Sequence, residues 1–127
     1  MKPLQYILLS AMLVIVLAAP GFAAPAVYPV TGKWGQSTSS AKGAIDCSKL
    51  RVIGFNGDQR TDSGGGVPAY RIKSVSQQGP GNYRVVDQFT TGQINNGSAS
   101  FTLQQIDADH IVMNMQPGGT LKLQRCK

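Results

Sequence analysis

Residues Tyr83 to Cys126 read YRVVDQFTTGQINNGSASFTLQQIDADHIVMNMQPGGTLKLQRC, and this stretch decides the fold class. Tyr83 to Thr90 (YRVVDQFT), Ser98 to Ile106 (SASFTLQQI), His110 to Met115 (HIVMNM) and Thr120 to Cys126 (TLKLQRC) are short, β-branched or aromatic runs. Turn-forming residues separate them: the stretch around Gly92 to Asn96, then Asp107-Ala108-Asp109, then Pro117-Gly118-Gly119. Phe101 and Leu103 share one face of their run, and Leu121 and Leu123 alternate with Lys122 and Gln124. A period of two between turn signals is the mark of half-buried strands.

Working outward, the same rhythm continues toward the N-terminus. Ala69 to Gln77 alternates Tyr70, Ile72 and Ser74 against Arg71, Lys73 and Val75, and Gly79-Pro80-Gly81-Asn82 turns the chain into the next run. Lys49 to Asn56 (KLRVIGFN) sets Arg51, Ile53 and Phe55 on one face and Leu50 and Val52 on the other. Asn56-Gly57-Asp58 is a hairpin signal leading to a weak strand at Gln59 to Asp62, and Gly64-Gly65-Gly66 is a flexible break. Thr31 to Gln36 is a first short strand carrying Trp34, Ser37 to Asp46 is a polar loop, and no segment has a useful helical period. The chain has no glutamate, so all its acids are aspartates, and charged residues are only 14% of it. The expectation is all-β: a small antiparallel up-and-down meander of about eight strands, which loses its exposed edges most economically by closing into a barrel.

The first residues belong to a different grammar. Lys2 precedes an apolar core, Ile7 to Ala19 (ILLSAMLVIVLAA), which Pro20 and Gly21 break; small Gly21 and Ala23 then suit a signal peptidase. Residues 1–23 therefore read as a signal peptide and 24–127 as one domain, opened by a Pro-punctuated extended lead-in from Ala24 to Val30. The apolar core is short for a membrane span of about 20 residues; the alternative is an uncleaved anchor. Export to the periplasm or beyond makes the two cysteines, Cys47 and Cys126, a disulfide pair rather than a redox or metal pair. Closing a loop of about 80 residues stabilises a small domain by at most roughly 4.5 kcal/mol in the chain-entropy model.

Of the formal charge of +6, Lys2 supplies one, so the basic balance belongs to the domain. The cations are scattered singly with no interleaved aromatic residues, which argues against nucleic acid and for an ordinary cationic surface. Catalysis is weakly supported. His110 beside Asp107 and Asp109 suggests an acid–base cluster, but no nucleophile motif accompanies it, and the plain reading is a solvated surface histidine. The triple glycine lacks the Lys-Ser/Thr of a phosphate loop, and Asp107-Ala108-Asp109 lacks the ligand spacing of a calcium loop. No catalytic residue, metal site or cofactor is expected.

Gly32-Lys33-Trp34 on the first strand resembles the Gly-x-Trp signature of the lipocalin and wider calycin group. The resemblance implies that Trp34 plugs the closed end of a barrel and that Arg125, late in the chain, packs across it. The chain is much shorter than typical lipocalins. Its size is similar to that of compact, calycin-like periplasmic inhibitors of metalloproteases, whose N-terminal tail enters the protease cleft; Ala24 to Val30 would be that tail, although the cysteine placement differs.

The functional expectation is a small, exported, non-enzymatic binding protein for an apolar small molecule or a secreted or periplasmic protein, with no stable membrane span after cleavage. Tyr70, Phe89, Phe101, Ile111 and Met113 are the candidate lining, with Met115 sharing the face of Met113; in so small a barrel they could instead fill the interior. The alternatives are an inhibitor of a hydrolase (a metalloprotease or lysozyme), acting through the lead-in or the loop Asp62 to Val67, and a structural or envelope-stress protein.

Overall fold

A computed structural model describes residues 26–127. The signal segment 1–23 and the first two lead-in residues lie outside the described residues. The rest forms eight strands and no helix: β1 (Gly32–Gln36), β2 (Val52–Asn56), β3 (Gln59–Asp62), β4 (Tyr70–Gly79), β5 (Asn82–Phe89), β6 (Gly97–Gln105), β7 (His110–Gln116) and β8 (Gly119–Arg125). Each pairs antiparallel with the next, and β8 returns to β1 through Trp34↔Arg125, Gly35↔Gln124 and Gln36↔Leu123, so the sheet is a closed barrel. Closure leaves no free edge, the outcome expected of a meander this short.

Local chemistry sets the registers. The β2–β3 hairpin turns on Gly57, whose φ of 61° a side chain would strain, and pairs Asn56 with Gln59 and Phe55 with Arg60. Directly opposed residues share a face, so this register sends Arg60 into the interior with Phe55. On β4 a bulge at Lys73 lets Ile72 face Asp87 and Ser74 face Val86. One extra residue inverts the alternation beyond it. Val75, which simple alternation sets with Arg71 and Lys73, is thereby turned inward and packs on the core, opposite Val85.

The interior is solid through its middle. Trp34, Ile53, Val85, Phe101, Leu103, Ile111, Met113 and Leu123 are all buried and belong to one cluster. Inward residues stack in cross-strand layers: Val75, Val85, Phe101 and Met115, then Leu103, Met113 and Leu121. Ile111 and Met113, candidate ligand-lining residues on the sequence pattern, are filling instead. An eight-stranded barrel is only wide enough for side chains to meet at its axis.

One end is sealed by the lead-in. The Tyr28 N–H donates to Gly57 O at 2.9 Å, and its ring packs on Phe55 at 5.2 Å and Phe101 at 6.5 Å between centroids. Tyr28 and Val30 are both buried. From Tyr28 onward the lead-in is therefore a core element, not a free tail, because its apolar residues Tyr28 and Val30 are buried in the core cluster. At the same end Trp34 is fully buried, its indole N–H donating to Thr31 O, with the Arg125 guanidinium 4.5 Å from its ring centroid. Arg125 is held there by Ala108 O, which accepts from Nε and Nη2.

The polar loop 37–51 is strapped across the outside of the β1–β8 seam. The buried Gln124 side chain donates to Ala41 O and Gly43 O, and Asp109 accepts from Gly43 N–H. Ile45 bridges to Cys126, and Cys47 is disulfide-bonded to Cys126 across a sequence separation of 79. A β-carbon on Gly35 would sit 2.5 Å from Cys47 Sγ, so the bridge needs glycine beneath it.

Candidate functional site

The opposite end is open. Gly65 of the loop 63–69, the start of β6 and the β7–β8 turn border a cavity of about 360 Å³, within the size range of small-molecule sites. Its walls include Arg51, Asp62, Tyr70, Phe89, Ala99, Phe101, Met115 and Pro117, and Arg60 forms its floor. Several small residues line it, Gly65, Ser98, Ala99, Ser100 and Gly118. Ala99 stands opposite Asp87 on the inward face of β6, where a larger side chain would occupy the mouth.

The floor is a buried polar chain. Asp87 Oδ2 accepts from Arg60 Nε at 3.0 Å and from Nη2 at 2.8 Å, while Oδ1 accepts from the Tyr28 hydroxyl at 2.5 Å. The two charged side chains are 3% and 0% exposed. Burial raises the Asp87 carboxyl above its ordinary range, opposed by Arg60 and the Tyr28 hydrogen bond. Burial also raises the Tyr28 phenol, as does the adjacent Asp87. The Arg60 guanidinium lies 3.8 Å from the Tyr70 ring centroid and 5.1 Å from that of Phe101, so aromatic rings cover it.

At the rim, Arg51 makes a two-pronged contact with Asp62, Nε to Oδ1 at 2.9 Å and Nη2 to Oδ2 at 2.7 Å. Burial pushes the Asp62 carboxyl up, but the Arg51 and Gly64 N–H hydrogen bonds outweigh it and hold the group below its usual range. The Arg51 side chain lies across Gly64, where a β-carbon would meet Nε at 2.4 Å. Of the three glycines, Gly64 alone is in close contact with the arginine, and Gly66 faces open space. Phe89 packs edge-on against Tyr70 at 5.4 Å and lies over Gly97.

The structure divides the sequence-derived candidates. Tyr70, Phe89 and Phe101 come together at the mouth, whereas Ile111 and Met113 do not reach it. Met115 does. Two decisive residues escaped sequence reading, since Arg60 counts there among scattered surface cations and Asp87 carries no signal of its own. The hairpin offered one: with Gly57-Asp58 as the turn, Arg60 must oppose buried Phe55.

His110 lies elsewhere, in a lateral cleft of about 330 Å³ between loop 37–40 and strands β7 and β8. Its side chain is only 13% exposed, which corrects the expectation of a solvated surface residue. Nδ1 is 2.8 Å from Asp107 Oδ1, and the fully buried Nε2 has no hydrogen-bond partner among the described residues. Asp107 raises the imidazole pKa, with further support from Asp109 and the Ser39 backbone. Loop 37–43 folds over the ring because Gln124 pins it, an effect no local pattern reveals.

Fold and site together define a small closed eight-stranded up-and-down barrel, compatible with calycin architecture, plugged at one end and open at the other. Comparison with protein-family models, with curated proteins and with solved structures found no match to this chain.

Proposed function

We propose that this is an exported, non-catalytic binding protein that takes a small amphipathic molecule into the open mouth of its barrel. One observation carries the reading: with one end sealed and the middle filled, the cavity at the open end brings Tyr70, Phe89, Phe101 and Met115 together with Arg60. Apolar walls with few fixed polar groups are the usual make-up of such sites. The Cys47–Cys126 disulfide accords with an oxidising, extracytoplasmic compartment, so the periplasm or the exterior is the proposed place of action. A hydrolase-inhibitor role through the lead-in receives less support, because Tyr28 is spent on sealing the barrel.

Native mass spectrometry of the protein isolated from its export compartment tests the reading, beside an Ala99→Phe variant that fills the mouth. The expected result is a co-purifying small molecule on the natural protein and none on the variant, with both folded. A molecule retained equally by Ala99→Phe overturns the assignment to the mouth.

A further inference from the structure

The mouth specifies more than its size. The Arg60 guanidinium is covered on its faces by Tyr70 and Phe101, and the edge carrying Nε and Nη2 belongs to Asp87. Only the Nη1 edge is left, and Nη1 makes no hydrogen bond to the described residues. Nor is it among the fully buried unpartnered atoms, of which His110 Nε2 is the only one described. The remaining donor of Arg60 therefore keeps some solvent access, and Arg60 is among the residues that line the cavity. Arg51 repeats the pattern at the rim: Nε and Nη2 are committed to Asp62, and Nη1 is without a partner. Two guanidinium groups, each fixed by an aspartate and each with one in-plane donor to spare, line the same small cavity. The same cavity is lined by the apolar side chains of Phe89, Met115 and Pro117, beside the polar Ser98, Ser100 and Gln116.

We infer that the mouth is selective for small aromatic carboxylates, whose anionic oxygens bridge Nη1 of Arg60 and Nη1 of Arg51 while the ring rests against Phe89 and Met115. This deepens, and rests on, the reading of the mouth as the binding site. Fixed guanidinium donors match the planar geometry of a carboxylate, and charge-assisted hydrogen bonds of this kind are about twice as strong as neutral ones. Because Asp62 and Asp87 already neutralise the two arginines, selectivity comes from directed donors rather than net charge. A cavity near 360 Å³ holds a single-ring molecule, not a long-chain lipid.

Isothermal titration calorimetry on the oxidised protein with 4-hydroxybenzoate and its neutral isostere 4-hydroxybenzamide tests this. The acid is expected to bind at least about tenfold more tightly than the amide, with Arg51→Lys, which keeps the charge but loses the fork, erasing most of that preference. Ala99→Phe should abolish binding of both. Equal affinity for acid and amide, both blocked by Ala99→Phe, overturns the carboxylate inference and leaves the mouth as a binding site. Binding of neither probe also overturns it, whatever native mass spectrometry shows of the natural ligand. An undiminished acid preference in Arg51→Lys would remove Arg51 from the proposal.

Discussion

Substitution of Asp87 by Asn probes the feature on which both the fold and the mouth depend. The change keeps volume and shape but removes the charge that Arg60 Nε and Nη2 contact at 3.0 and 2.8 Å. Arg60 would then be a cation, 3% exposed in its side chain, with no anion beside it. Breaking a buried pair from one side costs about 3–5 kcal/mol, because the surviving charge stays desolvated. A small domain has a net stability of only about 5–15 kcal/mol, so Asp87→Asn should be folded by a narrow margin. Tyr28→Phe removes one hydrogen bond to the same carboxylate and should cost less, roughly 1.5–3 kcal/mol. Replacing both charges, Arg60→Met with Asp87→Leu, should recover most of the loss, since an apolar filling avoids desolvation altogether. Urea unfolding followed by the fluorescence of Trp34, the chain's one tryptophan and fully buried, measures all three. An Asp87→Asn variant within about 1 kcal/mol of the natural protein, or a double variant no better than the single one, would refute the claim that the chain is a desolvated, mutually dependent pair.

Other consequences are checked as directly. Cys47→Ser with Cys126→Ser should lower stability by up to about 4.5 kcal/mol in urea titrations and loosen loop 37–51 first, seen as faster amide exchange there. For His110, whose pKa is raised in the folded state chiefly by Asp107, the stabilisation is complete below the unfolded value near 6.5 and fades as pH rises through the higher folded value. The advantage of the natural protein over His110→Gln in thermal melts should therefore shrink from pH 5 to pH 9; a constant difference contradicts the pairing. Gly97→Ala places a β-carbon 2.6 Å from the Phe89 ring and should cost about 1–3 kcal/mol, while Gly66→Ala, with open space around it, should be near neutral.

Much was legible from residues alone, because strand periodicity and turn chemistry are local. Alternation grouped Ile53 with Phe55, Phe101 with Leu103, and Leu121 with Leu123 on common faces, and the structure buries all six. Turns at Gly57, Gly81 and Asp107 to Asp109 sit where their residues demand, and a disulfide joins Cys47 to Cys126. The Trp34–Arg125 stacking implied by resemblance is present as well. The Lys73 bulge was not legible, because a single unpaired residue leaves no mark on composition, yet it decides which way Val75 points.

Alternation along a strand settles which side chains point together, and that much the amino acids determined unaided. What those side chains meet depends on partners far along the chain. Asp87 lies 27 residues from Arg60 and 59 from Tyr28, and only closure of the barrel sets the three in contact. The same closure decides that the lead-in seals one end, that Ile111 and Met113 fill the middle, and that a cavity remains at the other end beside Ala99. Burial of a charge, or the persistence of a void, is a property of the assembled interior, and no local stretch of the polypeptide carries it.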